Sequence, residues 1–588
     1  MTKDTSKRLK VMGAGIILVF IVLIAQAFNL QIRQYDNFIQ LANNNRIRLI
    51  PIIAPRGTIY DRNKQVIVAT RAANTVSIVP MDLKNEKYVL AKLSYILDMP
   101  IEEINKKIAE QTFRPFDPIR LKKDIQLETL AKIEEQKNDL PGVILETVPI
   151  REYIYGDLGC HLFGYVGEIS QDELKALENE GYKAGDIIGK TGLEKVYDKY
   201  LQGVNGGQQV QVNASGKMIS IMGEKKIVPG NNLILNIDAK VQKTAENALK
   251  EAIEKTPGSK GGAVVAMDPR NGQIIALVSQ PGFMPNKFAT GISLKDWSSL
   301  INDKRHPMKN RVTESAYPPG SIYKILMAIA ALEEHKVTAN DTFYCGGHYK
   351  WGFHCWNRSG HGTETLITGL RDSCNAVFYS LGQRLGPAKI SEYSKRFGLG
   401  EKTGIDLLGE EKGLLPSPDW KMKNYHEEWY PGETLNMSIG QGYHLTTPIQ
   451  LAQMVSAAVN GGSVYKPYIV NRIVSPNGQL IKQFQPHLKE TITIAPDNLA
   501  MVKEGMRQVV EKGTASAAFN GFPITAGGKT GTAQAGPGKG DHAWFASAAP
   551  LDNPELVVVV FVEEGLHGSS TAAPVARRIY EAYFGLQK

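Results

Sequence analysis

Ser321 and Lys324 stand three apart in Tyr317-Pro318-Pro319-Gly320-Ser321-Ile322-Tyr323-Lys324. Three apart on a helix means one face, so the lysine amine comes within reach of the hydroxyl. A serine hydroxyl is a weak nucleophile until a base takes its proton. A lysine serves as that base near neutral pH only where burial or a nearby cation lowers its pKa. Read alone, the pair is equally an N-cap serine and a surface lysine. Two further groups follow: Ser373-Cys374-Asn375, and Lys529-Thr530-Gly531-Thr532. Each alone is an ordinary cap or strand end. In this order they supply a nucleophile, a base, a second hydroxyl, an amide, and a cation flanked by hydroxyls suited to a small anion. Another set is compositional: Cys345, Cys355 and Cys374, with His361 between the last two. Three thiolates and an imidazole match a closed structural zinc site. A Cys345-Cys355 disulfide with Cys374 free, or three unconnected buried thiols, are the competing readings, and His348 and His354 are alternative ligands.

The elements that must position these groups can be read from pattern. Pro318-Pro319-Gly320 cannot sit inside a helix, whereas Ile325 to Leu332 is a run of helix formers, so Ser321 lands at or beside a helix start. Ser373 falls in a loop entering the apolar Ala376-Val377-Phe378-Tyr379. Lys529 falls on a strand candidate spanning 524–534. Gly261 to Asp268 and Gly272 to Val278 form a hairpin across Pro269-Arg270-Asn271-Gly272. Ala543 to Ala549 and Leu556 to Val562 supply partner strands, with helices expected at Ala239 to Lys255 and Ala573 to Phe584. Strands at both ends of one domain, with helices between, predict an α+β domain with a central antiparallel sheet in a helical surround. The serine helix packs on that sheet.

At 588 residues, 43% hydrophobic and 22% charged, the chain is globular and too long for one core. Its net charge of +9 is mild and spread out, no nucleic-acid motif is present, and four cysteines exclude a disulfide scaffold. Lys3, Lys7, Arg8 and Lys10 precede the uncharged Val11 to Ala25, the pattern of a bilayer-spanning helix with its basic side cytoplasmic. Ala25-Gln26-Ala27 also fits a signal-peptide cleavage site. After a polar Asn43-Asn44-Asn45-Arg46 comes a mixed α/β region with strand runs at 65–69, 75–79 and 142–148 and a helix at Ile101 to Gln111. Residues 164–207 carry no chemistry in their pattern and read as a spacer or docking module. The expected division is 1–33 tail and anchor, 34–230 membrane-proximal pedestal of the dimerisation type, and 231–588 catalytic domain.

Ser-x-x-Lys, Ser-x-Asn and Lys-Thr-Gly, in that order behind a membrane anchor, resemble the penicillin-recognising serine acyl transferases. Over nearly its whole length the chain resembles the class B penicillin-binding proteins, the monofunctional peptidoglycan D,D-transpeptidases. Pro55-Arg56-Gly57 to Asp61-Arg62, Gly192-Leu193-Glu194, Ser438-Ile439-Gly440-Gln441-Gly442 with Thr447-Pro448, and Ala543-Trp544-Phe545 carry that likeness. Nothing resembles the glycosyltransferase module of the bifunctional enzymes. Gly360-His361-Gly362 before the Ser-x-Asn motif looks most like the elongation-type penicillin-binding protein 2. The septal division-type enzyme is the nearest rival, and a β-lactam sensor receptor a further one.

The resemblance implies that Ser321 is acylated by a D-alanyl-D-alanine stem and Lys324 is its base, with Lys529 depressing the Lys324 pKa. It implies that Ser373 relays a proton, that Asn375 binds the stem amide, and that Lys529, Thr530 and Thr532 hold the terminal carboxylate. The oxyanion hole would be the N–H groups of Ser321 and Thr532, and Gly531 would permit close backbone approach. It also implies single-pass insertion in the inner membrane with a periplasmic bulk, β-lactams as covalent ligands, and a SEDS-type lipid II polymerase and rod-complex scaffold proteins as partners. No cofactor is needed for the chemistry. One structural Zn2+ on Cys345, Cys355, His361 and Cys374 is the metal expectation, supported by relatives with a metal in this segment.

Overall fold

A computed structural model describes residues 3–35, 47–111, 118–212 and 218–586, so the Asn43–Arg46 stretch lies outside the described residues. The chain divides into two compact units, 1–54 with 203–229, and 55–202 with 230–588. In the first unit, helix Lys3–Phe28 is long and apolar enough to cross a membrane, and its apolar side chains from Val11 to Ile24 are exposed. Strands Ile47–Ile52, Gly206–Val212 and Met218–Lys225 make an antiparallel sheet in the same unit.

The second unit holds two larger sheets. In the first, Val66–Ile78 runs unbroken and pairs with Val143–Tyr153 from Val68 opposite Tyr153 to Ile78 opposite Val143. The two short strands expected at 65–69 and 75–79 are therefore one. The polar middle is carried at the surface, where Arg71 pairs with Asp124 and Glu152. Asn232–Leu235 lies parallel to Ile59–Tyr60 and antiparallel to Val470–Val474, so this sheet joins N-terminal and C-terminal parts of the chain. Beside it, Glu194, fully buried, is held by Arg56 at 2.5 Å and by Arg151 at 2.6 Å, and Asp198 takes Arg56 at 2.7 Å. Removing one member of such a buried cluster leaves an unpaired charge, at a cost of about 3–5 kcal/mol. The Pro55-Arg56-Gly57 and Gly192-Leu193-Glu194 motifs are thus two halves of one ion cluster, a pairing that spacing alone did not reveal.

The second sheet has five antiparallel strands in the order Ile274–Gln280, Gly262–Met267, Leu556–Val562, His542–Ala549, Gly527–Ala533. The hairpin, the partner strands and the helices Ala239–Lys255 and Ala573–Tyr583 stand where periodicity put them. Alternate residues of Leu556–Val562 enter opposite cores. Val557, Val559 and Phe561 join the core that contains the serine helix, while Val558, Val560 and Val562 join the core under Ala239–Lys255 and Ala573–Tyr583. Helix Lys324–Glu333 is buried from Lys324 to Leu332, which explains why it is apolar around its whole circumference. Gly527–Ala533 is left as an edge strand.

Candidate active site

Ser321 sits in a 3₁₀ turn, Gly320–Tyr323, that feeds directly into helix Lys324–Glu333. A 3₁₀ turn has three residues per turn, so Ser321 and Lys324 eclipse more closely than α-helical spacing implies. The turn is strapped at several points. Gly320 N–H donates to Gly440 O at 2.9 Å, Trp544 Nε1 donates to Pro318 O at 3.0 Å, and Tyr317 pairs with Thr446 through two backbone bonds of 2.9 and 2.8 Å. The Tyr317 hydroxyl donates to Glu563 Oε1 at 2.5 Å, and Glu563 Oε2 forms an ion pair with Arg311, 3.1 Å from its Nε. A Cβ added to Gly320 would come 3.1 Å from Thr532 O, so the serine turn lies against the Lys529 strand at Thr532.

Lys324 is buried and its Nζ donates to Asn375 Oδ1 at 2.7 Å, Ser373 O at 2.9 Å and Ser373 Oγ at 3.3 Å. The first two motifs therefore meet at one ammonium group. Burial lowers the Lys324 pKa from 10.5 to about 8. Lys529, also buried, lies well below its ordinary value, first through burial and then through the charge of Lys324. The direction of the sequence expectation holds, but its cause differs. Desolvation lowers Lys324, and the like-charge repulsion is felt at Lys529. Ser373 has φ 52°, a left-handed conformation uncommon for a residue with a Cβ, and this aims its hydroxyl and carbonyl at Lys324. The edge strand supplies Thr530, whose Oγ1 lies 2.7 Å from Thr514 Oγ1, and the exposed Thr532. Gly531 packs closely on the neighbouring strand and on the serine turn. A Cβ there would lie 2.9 Å from Trp544 Cβ and 3.2 Å from Ile322 Cγ1.

The cysteine cluster lies behind the Ser-x-Asn loop. Cys345 pairs with Gly362 in a short hairpin, and its Sγ lies 3.6 Å from His361 Nδ1, which is 3.4 Å from Cys355 Sγ. One ligand atom from each of Cys345, Cys355, His361 and Cys374 falls within 4.8 Å of the others, and all three thiols are free. Three sulfurs at ~2.3 Å from a zinc ion would stand nearly 4 Å apart, so this donor set suits that ion with little movement. Cys355 is drawn below its ordinary value, first by the Cys374 thiol that donates to it. Among the described residues His348 and His354 stay outside the cluster and pack ring to ring at 4.9 Å. The hairpin also grips the motif directly. Asn375 N–H points to Cys355 Sγ at 3.4 Å, Asn375 Nδ2 donates to His354 O at 3.3 Å, and Trp356 Nε1 donates to Asp372 O at 3.0 Å. These backbone and indole contacts of the hairpin have no motif to announce them.

Residues 262–581 match the family model described as the penicillin binding protein transpeptidase domain, and residues 51–235 match the penicillin-binding protein dimerisation domain. The chain is 34% identical to the peptidoglycan D,D-transpeptidase MrdA of Acinetobacter baumannii, over 98% of this chain and 87% of that protein. It is 33% identical to the MrdA protein of Escherichia coli strain K12, over 95% and 91%. Among solved structures it is similar to the Helicobacter pylori penicillin-binding protein PBP2 in complex with MreC, with a TM-score of 0.79, 28% identity and coverage of 92% and 99%. It is also similar to a chain of a peptidoglycan synthase complex that coordinates polymerization and crosslinking, with a TM-score of 0.75, 30% identity and 99% of both chains covered.

Proposed function

We infer serine acyl transfer at this site because the chain belongs to the class B penicillin-binding proteins, with their dimerisation and transpeptidase domains. It is a peptidoglycan D,D-transpeptidase of the elongation type. The observation that carries the residue assignment is the buried Lys324 amine, within hydrogen-bond reach of both Ser373 and Asn375 and one 3₁₀ turn from Ser321. Neutral Lys324 accepts the Ser321 proton as Oγ attacks the penultimate D-alanyl carbonyl. The C–N bond then breaks, Ser373 passes a proton to the departing amine, and D-alanine leaves an ester on Ser321. Backbone N–H groups of Ser321 and Thr532 face the oxyanion, a device worth about 3 kcal/mol per donor elsewhere. Asn375 holds the stem amide, and Lys529 with Thr530 and Thr532 holds the terminal carboxylate. The edge position of Gly527–Ala533 supports addition of the stem as an extra strand. An amine from a second stem then attacks the ester, forming the cross-linking amide and releasing Ser321.

For the four-ligand cluster we propose one Zn2+ held by Cys345, Cys355, His361 and Cys374. When bound it would cross-brace the 343–364 hairpin and the Ser373 loop without touching substrate. The division into 1–33 anchor, 34–230 pedestal and 231–588 catalytic domain is likewise proposed. So are insertion of the N-terminal helix in the inner membrane with a cytoplasmic N-terminus, and pairing through anchor and pedestal with a SEDS-type polymerase and a scaffold protein of the MreC kind. The decisive test is fluorescent penicillin. The chain labels covalently and Ser321→Ala does not; labelling that survives the substitution overturns the assignment.

A further inference from the structure

Transpeptidation needs a second substrate, and the groups assigned above all serve the first. The stem that is cleaved lies along Gly527–Ala533, on one side of the serine turn. The turn also meets Gly440: Gly320 N–H donates to Gly440 O, and a Cβ on Gly440 would come 2.3 Å from Gly320 O. Three residues after Gly440 stands Tyr443, and its ring joins Trp420 at 5.1 Å and Tyr425 at 5.3 Å, with Trp420 and Tyr425 5.5 Å apart. This triad faces solvent. Tyr425 is 50% exposed, Trp420 and Tyr443 are half-buried, and Met422 on the same short helix is 46% exposed.

The triad is also anchored. Lys421, next to Trp420 and fully buried, pairs with Glu433 at 2.7 Å and lies 4.0 Å from the Tyr430 ring. Glu433 belongs to helix Pro431–Ser438, which runs into Ile439 and Gly440 beside the serine turn. Helix Pro418–Tyr425 is thus tied to the site twice, through Lys421 and through Tyr443. Three rings held in place yet open to solvent are costly to expose and serve poorly as core.

We propose that Trp420, Tyr425 and Tyr443 form a sugar-binding platform for the glycan strand that carries the acceptor stem. This rests on the transpeptidase reading above. A pyranose ring presents a face of C–H groups that sits on the negative π face of an aromatic ring, while its rim of hydroxyls and amides stays in water. Reach agrees with this occupant. Three residues span at most about 11 Å, so Tyr443 lies at most that far from Gly440, which touches Gly320 next to Ser321, a separation of the order of the ~10–18 Å that an extended stem of three to five residues covers. A strand lying on the platform can therefore deliver its stem amine to the Ser321 ester. The buried ammonium of Lys421 is neutralised by Glu433 and Glu427, at 2.7 and 3.4 Å.

The test separates the two acceptor classes in the full-length chain. Three rates are measured for the parent, Tyr425→Ala, Tyr443→Leu and Tyr425→Phe: labelling by fluorescent penicillin, exchange of the terminal D-alanine for a free D-amino acid, and crosslinking of preformed uncrosslinked glycan strands. The platform requires that Tyr425→Ala and Tyr443→Leu lose about tenfold or more in strand crosslinking while labelling and D-amino-acid exchange stay near the parent value, and that Tyr425→Phe restores crosslinking. Crosslinking unchanged in both variants overturns it, as does a parallel fall of exchange and crosslinking with labelling intact. A fall seen only when a partner protein is present overturns it too, by assigning the rings to a protein interface. Absence of labelling in the parent refutes the transpeptidase reading instead. Tyr425 ends its helix and is half exposed, so its substitution leaves the core untouched.

Discussion

Replacing Asn375 by aspartate tests whether neutral Lys324 is the base. Asn375 Oδ1 accepts from Lys324 Nζ at 2.7 Å, and the two side chains have the same shape, so the change adds one negative charge beside the lysine and gives up the Nδ2 donation to His354 O, which Asn375→Ala gives up as well. At an effective dielectric of ~20, unit charges at that distance attract by about 6 kcal/mol, more than four pH units on the lysine. The starting point is a lysine lowered from 10.5 to about 8 by burial. That difference, about 3.4 kcal/mol, raises the neutral fraction near pH 7 from ~0.03% to ~9%. Because the neutral amine is the active form, wild-type acylation by fluorescent penicillin should climb about fiftyfold from pH 6 to pH 8 and approach a plateau above it. In Asn375→Asp the ammonium is restored, so the rate at pH 7 should fall by more than about 300-fold and the rise should move beyond pH 10. Asn375→Ala is the control. It loses the amide contact, costs about tenfold, and leaves the midpoint near pH 8. A fast Asn375→Asp variant with an unmoved pH midpoint would refute Lys324 as base.

Other consequences follow from packing and burial. Glu246 is raised from 4.5 to about 7, chiefly by burial, and accepts from Gly159 N–H at 2.7 Å. The folded state then holds this proton more tightly than the unfolded chain. The contribution is full below pH 4.5 and is lost as pH rises through 7, so Glu246→Gln should gain up to about 3 kcal/mol in denaturant unfolding at pH 8 and nothing at pH 4. Gly440 has φ +71° and no space for a Cβ. Gly440→Ala should cost about 2–4 kcal/mol and slow penicillin labelling at least tenfold by pushing on the serine turn, whereas a neutral result in both assays would deny that contact. Elemental analysis should find one zinc per chain, and chelation should lower both melting temperature and acylation until zinc is restored. A zinc-free protein two hydrogens light would instead favour the Cys345-Cys355 disulfide.

Order along the chain was enough to recognise the chemistry. Ser321, Lys324, Ser373, Asn375 and Lys529 are side chains whose types and local spacing are set by sequence, and each stands in the local element that its neighbours' propensities dictate. The five-stranded sheet was legible for the same reason, because its strands are short alternating or continuous apolar runs bounded by turn residues. The polar middle of Val66–Ile78 hid a single strand, since its pairing with Val143–Tyr153 is a non-local choice. Likewise nothing local predicts that His354 O receives Asn375, that Gly440 abuts Gly320, that Arg56 meets Glu194, or that three aromatic rings from two segments converge. The pKa of Lys324 belongs to the same class. Its residue type is written in the chain, but the desolvation that makes it a base near neutrality arises only when segments far apart in sequence close over it.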